Sequence, residues 1–130
     1  HWPILTHTGQ DRTPLSALCY VPLIEAYPDV VLILAHLTLE SIPLAKRHEN
    51  VFVDTTYMDA MRVELGVDAL GPSKILFGSD AFMNDLSVGI GMVVYADIPD
   101  EHKRQVLGLN MARLLDRVGA LPAPLRKWLE

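Results

Sequence analysis

Thiols are almost absent. Cys19 is the one cysteine in 130 residues, so no internal disulfide can form. That excludes a disulfide-stapled scaffold and points to a reducing, cytoplasmic setting. Positive charge is also scarce. Eleven Lys and Arg stand against sixteen Asp and Glu, a net charge of −5. A chain with this balance lacks the basic footprint of a nucleic-acid or anionic-membrane binder, and neither partner is expected. No apolar run approaches the ~18 residues of a membrane span. The opening HWPILTHTGQ has neither the basic n-region nor the long apolar stretch of a secretory signal. Linker-like and low-complexity stretches are missing too, so residues 1–130 read as one domain. The chain opens on His1 rather than Met, which suggests a fragment, a processed chain or part of a longer one.

What is present is apolar material, 50% of the residues, enough for a core. Four short apolar runs recur: Pro3–Thr6, Val30–Ala35, Val51–Val53 and Lys74–Phe77. The second is continuous and rich in Val, Ile and Leu, as a parallel strand reads when both its faces are covered. Helical stretches lie between the runs. Thr13 then Pro14 is a helix start, followed by Leu15, Leu18, Cys19, Leu23 and Ala26 at helical spacing, with Pro22 set to kink or split it. On that stripe Cys19 reads as a buried structural thiol. Further helices are expected over 41–48 and 59–70, with Gly66 inside the latter. Asp100 is expected to cap a last one striped by Leu107, Met111, Leu114, Leu115 and Val118. Gly89-Ile-Gly91 reads as flexible backbone. Leu125–Trp128 reads as a final turn that packs Trp128 back. The pattern β-α-β-α-β-α-β-α predicts an α/β fold with a parallel sheet and right-handed crossovers.

Each apolar run ends in ionisable or polar residues: Thr6-His7-Thr8-Gly9, Ala35-His36, Asp54-Thr55-Thr56 and Gly78-Ser79-Asp80. Parallel strands point their C-terminal ends to one face, where α/β folds place their sites. His7, His36, Asp54 and Asp80 therefore converge on one rim. Asp54 also fits a plainer role, as N-cap of the helix that follows. Two His and an Asp on one rim are the donors a zinc-like cation needs, and such a cation activates water for attack.

Here the residues carry a resemblance. Thr6-His-Thr-Gly9, Tyr27-Pro-Asp29 leading to Leu34-Ala-His36, Asn50-Val-Phe-Val-Asp-Thr55, Ile75-Leu-Phe-Gly-Ser-Asp80 and Asn110-Met-Ala-Arg-Leu-Leu115 resemble the amidohydrolase superfamily. The branch is the amidohydrolase-related group, which includes amino-carboxymuconate-semialdehyde decarboxylase. Members are (β/α)8 TIM barrels of roughly twice this length or more. The resemblance implies strands five to eight, the C-terminal half of such a barrel, since the family's H-x-H pair at strand one has no counterpart here. It implies that His7 is a metal ligand and that His36 is a ligand or a polariser of substrate. It implies that Asp80 is a ligand or proton-handling base, with a divalent metal, zinc first, as cofactor. Two departures stand out. His36-Leu-Thr-Leu-Glu40 lacks the glycine the family places after His-Leu, and Ala81-Phe82 replaces an aromatic followed by proline.

The expected function is a metal-dependent hydrolase or decarboxylase acting on a small carboxylate, ester, lactone or amide. The alternative is a non-catalytic half-barrel that assembles with a partner and retains ligand residues by descent. Either way a homo-oligomer, or pairing with the missing N-terminal half, is expected. His48 and His102 read as solvated, and Asn110 as a backbone anchor.

Overall fold

The computed structural model describes residues 2–9 and 15–129. His1 and the Thr13–Pro14 helix start lie outside the described residues. Four strands form one sheet in the order β1 (Ile4–His7), β2 (Leu32–Ala35), β3 (Val51–Asp54) and β4 (Ile75–Leu76). Every neighbouring pair is parallel, in registers that set His7 beside Ala35, Leu34 beside Val53 and Asp54 beside Leu76. The expected strands and their parallel order are all present, with β4 shorter than its apolar run.

Alternation along the strands divides the core in two. Leu32, Leu34, Val51, Val53 and Ile75 join the larger cluster with Ile24, Leu44, Val63 and Val67. Those partners come from α1 (Val21–Ala26), α2 (Ser41–Arg47) and α3 (Ala60–Leu70), which connect the strands on that face. Val31, Ile33 and Leu76 occupy the other face. There Leu114 and Met111 of the C-terminal part of the chain pack on them, with Phe52 of β3 alongside. All of β2 is buried, which explains its unbroken apolar run. At the sheet edge, Ile4 and Leu5 are 46% and 63% exposed.

Pro22 acts as expected. A 3-10 turn over Ala17–Tyr20, started by Ser16, gives way to α1 with the proline in its first turn. Cys19 is exposed on that turn rather than buried, because 3-10 geometry rotates it off the stripe that α-helical spacing implied. The cap of α3 is Asp59, whose carboxylate accepts from the Arg62 N–H at 2.8 Å. Gly66 is needed within α3, since a Cβ there would stand 2.5 Å from Leu37 Cδ2. Gly89-Ile-Gly91 is not loose backbone. It lies in α4 (Leu86–Val94), which Asp85 caps by accepting from the Ser87 N–H (2.8 Å) and hydroxyl (2.6 Å). Those bonds hold the Asp85 carboxyl below its usual range.

The chain then runs through α5 (Asp100–Arg104), a π-helical turn over Gln105–Leu109 and α6 (Asn110–Arg117). Asp100 is not the cap of α5. It sits in the first turn, 3.6 Å from the Lys103 ammonium, and Pro99 precedes it. Asn110 does anchor backbone: its Nδ2 donates to the carbonyls of Pro72 (2.7 Å) and Ile75 (2.9 Å). The closing 3-10 segment, Ala123–Trp128, leaves Trp128 58% exposed, so the indole packs back only in part. His48 and His102 are half-buried rather than solvated, with His48 Nε2 and His102 Nδ1 buried. Among the described residues no helix is long and apolar enough to cross a membrane.

Candidate active site at the strand ends

His7 closes β1, and His36 follows the last residue of β2. Because β1 and β2 are parallel neighbours in register at their ends, the two imidazoles meet. His7 Nδ1 and His36 Nε2 are 3.1 Å apart, with ring centroids 4.7 Å apart and planes at 82°. Tyr20 secures the first ring's backbone. Its hydroxyl accepts from Thr6 Oγ1 at 2.5 Å and donates to the His7 carbonyl at 3.2 Å.

His36 occupies the left-handed region, φ 64°, which costs a residue with a Cβ about 1–2 kcal/mol. Three neighbours hold it there. Its N–H donates to Asp54 Oδ1 at 3.0 Å, and its ring Nδ1 lies 3.0 Å from the Thr56 carbonyl oxygen. The Thr8 hydroxyl, buried, donates to the carbonyl of Ala35 and lies 3.4 Å from that of His36. Asp54 is buried, and the same Oδ1 accepts the Thr56 N–H at 3.0 Å. Thus Asp54 stands at the rim, but it braces His36 rather than capping a helix. Gly78 lets β4's exit pass beside it: a Cβ there would collide with the Thr56 hydroxyl and lie 2.8 Å from Asp54 Oδ2.

Asp80 lies further from the sheet. Strand β4 ends at Leu76, and the chain then turns, with the Asp80 carbonyl accepting from Met83 (3.0 Å) and Asn84 (2.9 Å). Asp80 is itself left-handed, φ 56°. Its carboxylate enters no hydrogen bond or ion pair among the described residues. It does line the same cavity as His7, His36, Asp54 and Thr56, a space of about 500 Å³ floored by Ile33, Leu76 and Met111. No Lys or Arg lines that cavity among the described residues.

Two imidazole nitrogens facing one cavity with carboxylates fit a divalent cation in donor chemistry. No group of three or more His, Cys, Asp or Glu among the described residues is arranged to hold a metal ion. The described residues thus present a converged histidine pair with a carboxylate nearby, which is part of a ligand set. Thr8, Thr56 and Tyr20 were not singled out from sequence. The threonines sit one residue past His7 and two past Asp54, a polar repeat at strand ends that could have flagged them. Nothing in the sequence marks Tyr20, whose contacts span some thirteen residues.

A family model described as Amidohydrolase matches residues 1–117, and the chain belongs to that family. No curated protein matches it. Among solved structures, an uncharacterized TIM-barrel protein from Bordetella bronchiseptica is similar at a TM-score of 0.69 and 18% identity, covering 90% of this chain and 46% of that one. A dihydroxybenzoic acid decarboxylase from Polaromonas, with bound manganese and the inhibitor 2-nitroresorcinol, is similar at 0.65 and 13%, over 92% and 52%. A 5-carboxyvanillate decarboxylase from Sphingomonas paucimobilis is similar at 0.60 and 18%, over 72% and 36%. The chain thus spans about half or less of each of these proteins. At such identities the likeness is one of fold, an α/β parallel sheet shared with TIM barrels.

Proposed function

We propose that this chain is the C-terminal half, strands five to eight, of a metal-dependent hydrolase or decarboxylase of amidohydrolase type, and carries part of its active site. The observation that supports this most is the His7–His36 pair, 3.1 Å apart at the ends of adjacent parallel strands. Membership of the amidohydrolase family and the likeness to two decarboxylases point the same way. His7, His36 and Asp80 would hold a divalent metal, zinc or another, with the missing half completing the set. When bound, that ion supplies Lewis acidity and activated water.

The chain's own residues supply the rest. His36 faces the cavity from a braced backbone and would present its free ring nitrogen to the ion, through which negative charge developing on substrate would be stabilised. Asp80, whose carboxylate is uncommitted among the described residues, takes and returns the proton. The substrate is a small carboxylate, ester, lactone or amide, and a cavity of about 500 Å³ accommodates a single-ring acid. A cytoplasmic enzyme fits the single exposed cysteine. A second reading, a non-catalytic half-barrel that pairs with a partner, draws on the exposed apolar edge at Ile4 and Leu5.

The test is Asp80→Asn in the complete protein, assayed for metal content, stability and turnover of aromatic carboxylic acids. The expected result is a kcat lower by on the order of 10²–10⁴, with apo stability unchanged. A stable, metal-loaded, fully active variant overturns the assignment of Asp80. A wild-type protein that binds no divalent metal and turns over none of these acids favours the half-barrel reading.

A further inference from the structure

We infer that Asp54 and Thr56 are positioning residues that fix both the backbone and the ring tautomer of His36, presenting its Nε2 to the cavity as a lone pair. A carbonyl oxygen only accepts, so the contact between His36 Nδ1 and the Thr56 carbonyl, 3.0 Å, places the ring proton on Nδ1. In a neutral imidazole the other nitrogen is then the acceptor. Nε2 faces His7 Nδ1 at 3.1 Å, so in the metal-free chain His7 donates its Nδ1–H across that gap.

Asp54 touches neither ring. Its Oδ1 accepts the N–H of His36 and the N–H of Thr56, both at 3.0 Å. One buried carboxylate oxygen therefore ties together the segment that carries the imidazole and the segment that supplies its acceptor. Removing it frees both at once. The left-handed backbone of His36 then has reason to relax, because an isolated residue with a Cβ avoids that region. Thr8 clamps the carbonyl side of the same peptides, so the brace closes around His36 from two strands. The catalytic consequence rests on the reading of His36 as an active-site group, but the tautomer does not.

The experiment uses the metal-free, 15N-labelled chain in mildly alkaline buffer, where free histidine is neutral. Long-range 1H–15N correlations of the rings should show His36 protonated on Nδ1, with a pyridine-like Nε2. The backbone amides of His36 and Thr56 should be protected from exchange together. A His36 ring protonated on Nε2, or rapid exchange at both amides, overturns the proposal in the wild-type chain alone. Asp54→Ala, if folded by circular dichroism, should lose the single tautomer, and Asp54→Asn should restore it, since the amide oxygen accepts the same two N–H groups. An unchanged tautomer in folded Asp54→Ala also overturns it. In the complete enzyme Asp54→Ala should lower kcat about 10–100-fold with KM kept. A wild-type enzyme with no activity would count against the functional reading and leave the ring assignment standing.

Discussion

Lys74 shows how one side chain ties the sheet together at the end remote from the histidines. Its ammonium donates to the carbonyls of His48 (3.0 Å), Glu49 (3.0 Å) and Val51 (3.2 Å), and stands 5.1 Å from the Phe52 ring centroid. Burial pulls its pKa below 10.5; Glu49 opposes the shift and Arg117 adds to it. The Glu49 carboxylate, 4.0 Å away and fully exposed, contributes little. Below the folded-state pKa both states hold the proton, and the cost of burying the charge is fully present. Between that pKa and 10.5 the unfolded chain binds more protons, so stability rises with pH. Urea titrations across that alkaline window should show this rise in the wild type and its absence in Lys74→Met. At neutral pH the same variant should lose about 1–3 kcal/mol, since three carbonyls lose a charged donor.

Asn110 makes the companion case: Asn110→Asp, which sets an acceptor against two carbonyls, should destabilise more than Asn110→Ala by thermal melting. His7, His36 and Asn110 were legible in the sequence because strand-end position and motif spacing marked them. The role of Asp54 was not, since its partners are backbone groups that no composition reveals.

Strand β4 has only two residues, both buried. Its exit is held by Thr55, whose Oγ1 donates to the Gly78 carbonyl and accepts the Gly78 N–H, both at 3.2 Å. Gly78→Ala drives a Cβ toward the Thr56 hydroxyl and Asp54. It should destabilise by about 1–3 kcal/mol. Adding Thr56→Ala should recover part of the loss, because the Asp54 contact remains, and denaturant titrations of the two single variants and the double would measure that coupling. The four strands, α2 and α3 were readable from runs and periodicity, and the first helix only in part: its expected start lies outside the described residues and Ala17–Tyr20 is a 3-10 turn. The α4 helix was not, because two glycines within three residues masked a segment that Asp85 caps and tertiary packing holds. The break between α5 and α6 was equally hidden: the apolar stripe runs through it, and the π-helical turn changes register without changing composition.

At the scale of the whole molecule, a parallel sheet with Ile4 and Leu5 exposed along one edge is built to be continued. The chain alone, 14.5 kDa, should therefore sediment as a larger species, and Leu5→Lys should return it toward the monomer in analytical ultracentrifugation. The parallel order and shared rim were visible in the sequence as repeated apolar runs, each ending in polar residues. The packing of Met111 and Leu114 across the second face was not, since that face reads in sequence only as unpaired apolar positions.

An anionic ligand approaching the cavity meets the carboxylates of Asp54 and Asp80 and, among the described residues, neither an ammonium nor a guanidinium. Like charges at such range repel, and a cation placed between them reverses the sign of the field. For the enzyme proposed above, the expected loading order is therefore cation before carboxylate. Calorimetric titration of the complete protein with an aromatic acid should give heat only after a divalent metal has been added, and binding of the acid to the metal-free protein would contradict that order.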